Sequence, residues 1–167
     1  MTVAAPAGYR ASQIHLHWTV FALTLFQFVA GDNMTHLFRA AHGGRPTEAS
    51  AIWTPIHIAV GLAILALTLA RLGLRRRYGA PPPPAGESAA LRWIAGAVHV
   101  GLYVDLIGAA IVGLLAYFLF PGLAGLHEFL SRPALMVLVG LHALGALFQH
   151  FILRSDVLWR MLRPIRP

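Results

Sequence analysis

Four long apolar stretches run along the chain, separated by shorter polar segments. They cover about residues 12–31, 51–72, 91–120 and 126–153, and the fourth can begin anywhere between Leu126 and Ala134. A helix needs about 20 mostly apolar residues to cross the hydrocarbon core of a bilayer. Each stretch must be helical because lipid offers no partner for an open backbone group. The pattern therefore predicts an all-α fold, a four-helix transmembrane bundle.

The composition agrees with a membrane protein. Hydrophobic residues make up 57% of the chain and charged residues 11%, whereas soluble domains carry about 25% charged residues. Four spans and their connections use all 167 residues, so we expect a single transmembrane domain over 1–167. The first span is predicted to stay as a mature helix because its apolar run is long and no A-x-A cleavage pattern follows it.

The charge pattern predicts the topology. All 13 basic residues are arginine, and ten of them fall at the amino terminus, between the second and third spans, or in the carboxyl tail. These ten are Arg10, Arg71, Arg75, Arg76, Arg77, Arg92, Arg154, Arg160, Arg163 and Arg166. The positive-inside rule puts both termini in the cytoplasm and leaves Arg39, Arg45 and Arg132 for the outer face. Topology and anionic lipid account for the pI near 11.3, so no nucleic-acid partner is predicted.

Two further features narrow the chemistry. The segment APPPPAG at 80–86 predicts a stiff spacer between two helical hairpins. The chain has no cysteine, which excludes disulfides, thiolate metal sites, iron–sulfur clusters and the C-x-x-C-H attachment of c-type haem. Histidine remains as the ligand type. Its imidazole suits haem iron, zinc and copper alike, so the number of histidines does not choose the metal.

Each span carries histidine at a depth where ionisable side chains are costly and usually functional. These residues are His17, His57, His99, His142 and His150. Two histidines on neighbouring helices can clamp a planar macrocycle, and Gly61, Gly140 and Gly145 would let its ring approach the backbone. On a continuous helix His127 and His142 would be separated by about 22 Å of rise and about 60° of rotation. That spacing fits two cofactors stacked across the membrane, but Pro133 predicts a kink or interruption between them.

Several short motifs, each at the expected end of its helix, resemble the bacterial cytochrome b561 family. They are H-W at His17, P-I-H-I-A-V-G around His57 followed by Arg71, H-V-G-L-Y from His99, H-E at His127, and G-L-H at His142 leading to R-M-L-R-P. That family consists of four-helix, dihaem proteins of the bacterial inner membrane. The resemblance implies two b haems, with His17 and His142 holding the cytoplasmic one and His57 and His127 the outer one.

The sequence leaves the roles of two polar residues in the third span undecided. His99 is the competitor as a ligand: it could replace His127 or a partner at the cytoplasmic haem, and otherwise it would bond a propionate or pack. Asp105 is an acid well inside the span, where a carboxylate must be paired or protonated. It could pair with Gln27, accept a hydrogen bond from a ligand imidazole, or relay protons.

The resemblance also implies a quinone near the cytoplasmic ends of the helices. The residues considered for that site are His15, Gln149 and His150. At Gln149 relatives can carry a histidine, so the chain departs from the family pattern there. His15 faces about 160° away from His17 and is expected at the membrane interface. A solvated interface position accounts equally well for His150.

The function implied by the resemblance is electron transfer between the periplasmic face and ubiquinone. In its most specific form this is superoxide oxidase activity, in which superoxide gives electrons to ubiquinone. Arg39, Arg45 and Arg132 could concentrate the superoxide anion, although ordinary solvated charges account for them as well. The alternative is a membrane-anchor electron-transfer subunit or carrier that serves a periplasmic redox partner. A metal transporter is disfavoured because no paired glycine–proline breaks occur across an inverted repeat.

Overall fold

A computed structural model describes residues 6–31, 34–43 and 47–165, without the side chains of Thr35 and Ala41. The predicted outer-face Arg45 and the tail residue Arg166 lie outside these ranges. The long helices and the first short one are α1 Ala11–Ala30, α2 Met34–His42, α3 Glu48–Tyr78 and α4 Ala89–Phe118. No strand occurs in the described ranges, so the all-α prediction is confirmed there.

The fourth apolar stretch is a helix of several parts. It comprises a 3₁₀ turn Pro121–Leu123, α5 Ala124–Phe129, a π turn Leu130–Ala134 and α6 Leu135–Phe151, and a short α7 Val157–Arg160 follows. Proline has no N–H and its ring crowds a regular α-helical turn. The interruption predicted at Pro133 therefore takes the form of a wider π turn within a continuing helix.

Three helical segments are long and apolar enough to cross a membrane. They are Glu48–Tyr78, Ala89–Phe118 and Pro121–Phe151, with mean hydropathies of 2.0, 2.0 and 1.6. Helix α1 has 20 residues, but it carries two glutamines and two histidines and is not among them. Large apolar side chains point outward along the bundle, as with Trp93 at 75% exposed. The molecule is a helical membrane protein, and the predicted count of four spans stays a prediction.

Helices α1 and α3 are antiparallel neighbours, and two contacts define the two ends of their pair. Arg71, late in α3, reaches His17, early in α1. Gln27, late in α1, donates a hydrogen bond to the backbone of His57, early in α3. Helix α4 packs against both α3 and α6. We call the end that holds Arg10, Arg71 and Arg160 the arginine-rich end, and the end that holds His57 the arginine-poor end.

Three separate parts of the chain meet at the arginine-rich end, and which side of the membrane this end faces stays a prediction. Gln13 Nε2 donates to the carbonyl of Gly79 over 3.1 Å, which ties the start of α1 to the segment after α3. Trp18 Nε1 donates to the carbonyl of Met161 over 2.8 Å, which ties α1 to the carboxyl tail. Arg160 Nη1 donates to the carbonyl of Pro82 over 2.7 Å and joins that tail to the proline-rich spacer.

Candidate functional site

Two histidines face each other at the arginine-poor end. His57 comes from α3 and His127 from α5, and their ring centroids lie 6.0 Å apart with the rings at 90°. Gln27 Nε2 donates to the backbone carbonyl of His57 over 2.8 Å, so α1 supports the backbone of the first histidine. The structure thus brings together two histidines that are 70 positions apart in the sequence.

A backbone group fixes the orientation of His127. Its Nδ1 lies 2.9 Å from the carbonyl oxygen of Ala109 on α4. A carbonyl only accepts, so this hydrogen bond requires the proton on Nδ1 and leaves the lone pair on Nε2. Histidines that bind metals are commonly oriented by such a bond on the other ring nitrogen. This tautomer leaves Nε2 of His127 free to bind a metal.

Three histidines meet nearer the arginine-rich end. The His142 ring of α6 lies 5.9 Å from the His17 ring of α1, centroid to centroid, and 5.1 Å from the His99 ring of α4. His99 Nδ1 lies 2.6 Å from the carbonyl of Ala95, one turn back on its own helix. The ring contact of His99 is thus with His142, whereas the ring contact of His57 is with His127.

The guanidinium of Arg71 lies beside this histidine cluster. Arg71 Nη2 lies 2.9 Å from His17 Nδ1, and the guanidinium also stands 5.8 Å from the centre of the Tyr103 ring. Arg71 is only partly exposed, so its charge is held inside the bundle. A guanidinium donates readily to carboxylates in two parallel hydrogen bonds. The arginine-rich end therefore combines imidazoles with a permanent donor for an anionic group.

The donor set fits haem iron. Two imidazoles on opposite faces of one metal, with metal–nitrogen bonds of about 2.0 Å, have ring centroids about 6 Å apart. The His57–His127 and His17–His142 pairs match that spacing. In the part of the chain described here, no group of three or more His, Cys, Asp or Glu residues could hold a bare metal ion. An iron that already has four macrocycle nitrogens needs only two protein ligands, one from each imidazole of a pair. The Nε2 lone pair of His127 is available for this. His17 accepts from the Arg71 guanidinium at Nδ1, which puts its proton on Nε2, so His17 could bind iron through Nε2 only after Arg71 moves off Nδ1.

Asp105 is buried on α4, with 5% of its surface exposed. Its Oδ2 has no hydrogen-bond partner among the described residues. Gln27, one partner considered for it, donates to the carbonyl of His57 instead. The acceptor at His127 is the carbonyl of Ala109. No hydrogen bond or ion pair in the described ranges therefore links Asp105 to a candidate ligand.

The residues considered for a quinone are dispersed at the arginine-rich end. Gln149 hydrogen bonds to Glu87 and Ser155 and lines a polar cavity of about 390 Å³ between the proline-rich spacer and the chain after α6. His150 does not line that cavity; its ring packs 4.8 Å from Phe151 and its Nδ1 is buried without a partner in the described structure. His15 is exposed on α1.

Two of the three arginines predicted for the outer face are among the described residues. Arg39 is exposed on α2. Arg132 lies in the π turn just after His127, and its guanidinium carbon stands 6.0 Å from the centre of the Phe28 ring. Arg132 is thus close in sequence to His127, one of the two histidines at the arginine-poor end.

Sequence reasoning missed the part of α4 that receives His127. Ala109 contributes a backbone carbonyl, and Gly113 lies against the imidazole ring. Neither has a sequence signal, because any residue has a carbonyl and the chain contains 16 glycines. Glu87 was also missed, although it is an isolated acid beside the proline-rich segment and its side chain bonds Gln149.

Comparison with known proteins gives matches over nearly the whole chain. The profile of the prokaryotic cytochrome b561 family matches residues 8–164. Cytochrome b562 of Cereibacter sphaeroides is 32% identical over 157 residues, covering 94% of this chain and 96% of that protein. The probable superoxide oxidase CybB of Yersinia pestis is 27% identical over 179 residues, with 92% and 95% covered. Cytochrome b561 homolog 1 of Escherichia coli K12 is 28% identical over 182 residues, with 92% and 96% covered.

Proposed function

The chain belongs to the prokaryotic cytochrome b561 family, and from that premise we propose that it is a dihaem b-type cytochrome transferring electrons between the periplasmic face and ubiquinone. Membership makes it a membrane electron-transfer protein. The number of haems and the two redox partners are the proposed part. The observation that carries the proposal is the presence of two imidazole pairs, at 5.9 and 6.0 Å, toward opposite ends of the bundle.

In this proposal His57 and His127 hold one haem, and His17 and His142 hold the other. Bound haem supplies reversible one-electron chemistry, with a potential set by its axial ligands and their surroundings. The chain supplies binding and orientation. Ala109 fixes the tautomer of His127, and Arg71 offers a guanidinium to a propionate.

The sharpest form of the proposal is superoxide oxidase. One relative carries the name probable superoxide oxidase, at 27% identity. Superoxide is an anion, and Arg39 and Arg132 are cationic residues assigned to the periplasmic face. Positive charge near a site speeds the arrival of a small anion, and salt weakens that effect. Two superoxide anions give two electrons, and ubiquinone takes them with two protons to become ubiquinol.

The acceptor end is proposed to be the arginine-rich end, on the cytoplasmic side of the bacterial inner membrane. There the cavity beside Gln149 has about 390 Å³ and is lined by hydrogen-bonding groups that include Glu87 and Arg160. A quinone headgroup has two carbonyl oxygens that accept hydrogen bonds, so donors such as the Arg160 guanidinium suit it.

The alternative is an electron-transfer subunit or carrier that takes electrons from a periplasmic redox protein. The relative at 32% identity is named cytochrome b562. In that case the arginine-poor end is a docking face, and a small anion alone does not drive turnover.

One preparation tests the proposal and separates the two forms. Purified protein in detergent should give two haems b per chain by pyridine haemochrome analysis and no bound zinc or copper by elemental analysis. Superoxide made enzymatically should then drive reduction of a short-chain ubiquinone, and added superoxide dismutase should stop it. One haem per chain contradicts the dihaem proposal. Two haems without superoxide-dependent quinone reduction favour the carrier.

A further inference from the structure

A notch of small residues on α4 receives the imidazole of His127. Ala109 and Ala116 are buried, with 8% and 3% of their surfaces exposed, and Gly113 lies between them on the same face. Positions four and three residues apart stack along one side of a helix. Small side chains there let another helix approach closely. The His127 ring enters the notch and its Nδ1 donates to the carbonyl of Ala109 over 2.9 Å.

The ring fills the space that a side chain at Gly113 would need. A Cβ on Gly113 would lie 2.8 Å from Cε1, 2.9 Å from Nδ1 and 3.3 Å from Nε2 of His127. Carbon atoms in ordinary contact lie about 3.5–4.0 Å apart. One methyl group would therefore force the ring away from α4 by at least about half an ångström.

Two hydrogen bonds restrain the His127 ring from moving away from α4. Displacement away from α4 stretches the hydrogen bond to Ala109 beyond the usual range of about 2.7–3.2 Å. The backbone of His127 is held as well, because Ser131 Oγ donates to its carbonyl over 2.7 Å. The contact at Gly101 is different: a Cβ there would lie 2.9 Å from Leu138 Cδ2, the end of a flexible side chain. At Gly96 a Cβ would meet nothing within 4 Å.

We propose that Gly113 is a positioning residue: its lack of a side chain lets the His127 imidazole seat on α4, hydrogen bonded to Ala109 and 6.0 Å from the His57 ring. The inference rests on the proposed role of His127 as an axial ligand. It goes beyond that role because it assigns the ring's orientation to a residue on another helix. A side chain added at Gly113 should therefore affect only the haem proposed for His57 and His127, because it changes the orientation of the His127 imidazole and its distance from the His57 ring.

The test uses the full, haem-loaded chain with three glycine substitutions in α4. Gly113→Ala should shift the low-spin electron paramagnetic resonance signal and the reduction potential of one haem, or lower the haem content from two per chain to one. Gly96→Ala controls for the gain in helix propensity. Gly101→Ala controls for tight packing against a side chain other than histidine. Both controls should keep both signals and both potentials.

Two results overturn the proposal: unchanged signals in Gly113→Ala, or the same change in Gly101→Ala. If Gly113→Ala accumulates poorly, a double variant still tests the proposal. Since His127→Gly removes the ring that clashes, His127→Gly with Gly113→Ala should accumulate as well as His127→Gly alone. Failure of the double variant to do so also counts against the proposal.

Added imidazole gives an independent readout. It should restore the low-spin signal of His127→Gly, and at least tenfold more should be needed when Gly113→Ala is also present. Equal imidazole affinity in the two variants overturns the role of Gly113. If His127→Gly changes neither haem, the proposed ligand set itself is wrong, and the positioning role falls with it. The two failures are thus distinguishable.

Discussion

The arginine-rich end offers His142 two imidazole neighbours, and their distances predict which one shares its iron. The ring centroid of His142 lies 5.9 Å from that of His17 and 5.1 Å from that of His99. Two imidazoles on one iron require about 6 Å, with each metal–nitrogen bond at about 2.0 Å. The His17 distance meets that requirement, and the His99 distance is short by about 1 Å.

We therefore expect His17→Ala and His142→Ala to have the same effect and His99→Ala a different one. Loss of one of two axial imidazoles opens a coordination position and makes that iron high-spin. In His17→Ala about half of the total haem should become high-spin and bind carbon monoxide, or should be absent from the purified protein. His99→Ala should keep two low-spin haems per chain.

Carbon monoxide difference spectra and pyridine haemochrome analysis of the purified variants measure this directly. His15→Ala is the matched control, because His15 is exposed on the same helix two residues before His17. It should behave as the unsubstituted protein does. If His99→Ala opens an iron while His17→Ala leaves both haems low-spin, then His99 is the ligand and the distance argument fails.

Three other predictions follow from single contacts. Gln27→Leu removes the 2.8 Å hydrogen bond to the carbonyl of His57 and should cost about 1 kcal/mol of stability, seen as an earlier thermal melt at full haem content; an unchanged melt contradicts this. Trp18→Phe removes the 2.8 Å bond to Met161 while keeping an aromatic ring, so trypsin should cut the carboxyl tail faster, and an equal rate would count against the tie. The hydrogen bond from Arg160 holds the pKa of Asp156 below its ordinary value. This solvent-screened ion pair therefore contributes a small amount of stability at neutral pH, and that contribution is lost as the pH falls through the lowered pKa. Asp156→Asn should melt at a slightly lower temperature than the parent at pH 7 and at the same temperature in strong acid.

The apolar stretches predicted the helices better than their ends. The second stretch suggested a helix over 51–72, whereas α3 runs over Glu48–Tyr78. Hydropathy marks where a helix leaves the lipid, and a helix continues until its backbone is capped. The caps are in the sequence: Thr47 accepts from the backbone of Ser50 at the start, and Gly79 adopts a positive φ of 75° at the end. The boundaries were thus readable from cap residues, not from hydrophobicity.

The pairing of the candidate-site histidines could not be predicted from the sequence in the same way, because it depends on how the helices approach one another. Histidine in an apolar stretch is visible in the sequence, and its cost in lipid marks it as functional. The orientation of His127 is not visible, since it comes from the carbonyl of Ala109 and the bare backbone of Gly113 on another helix. At the arginine-poor end these contacts leave His57 a single imidazole neighbour among the ring contacts of the described chain. At the arginine-rich end the same kind of packing brings a third imidazole within reach of His142, so only the distances between rings distinguish the partners.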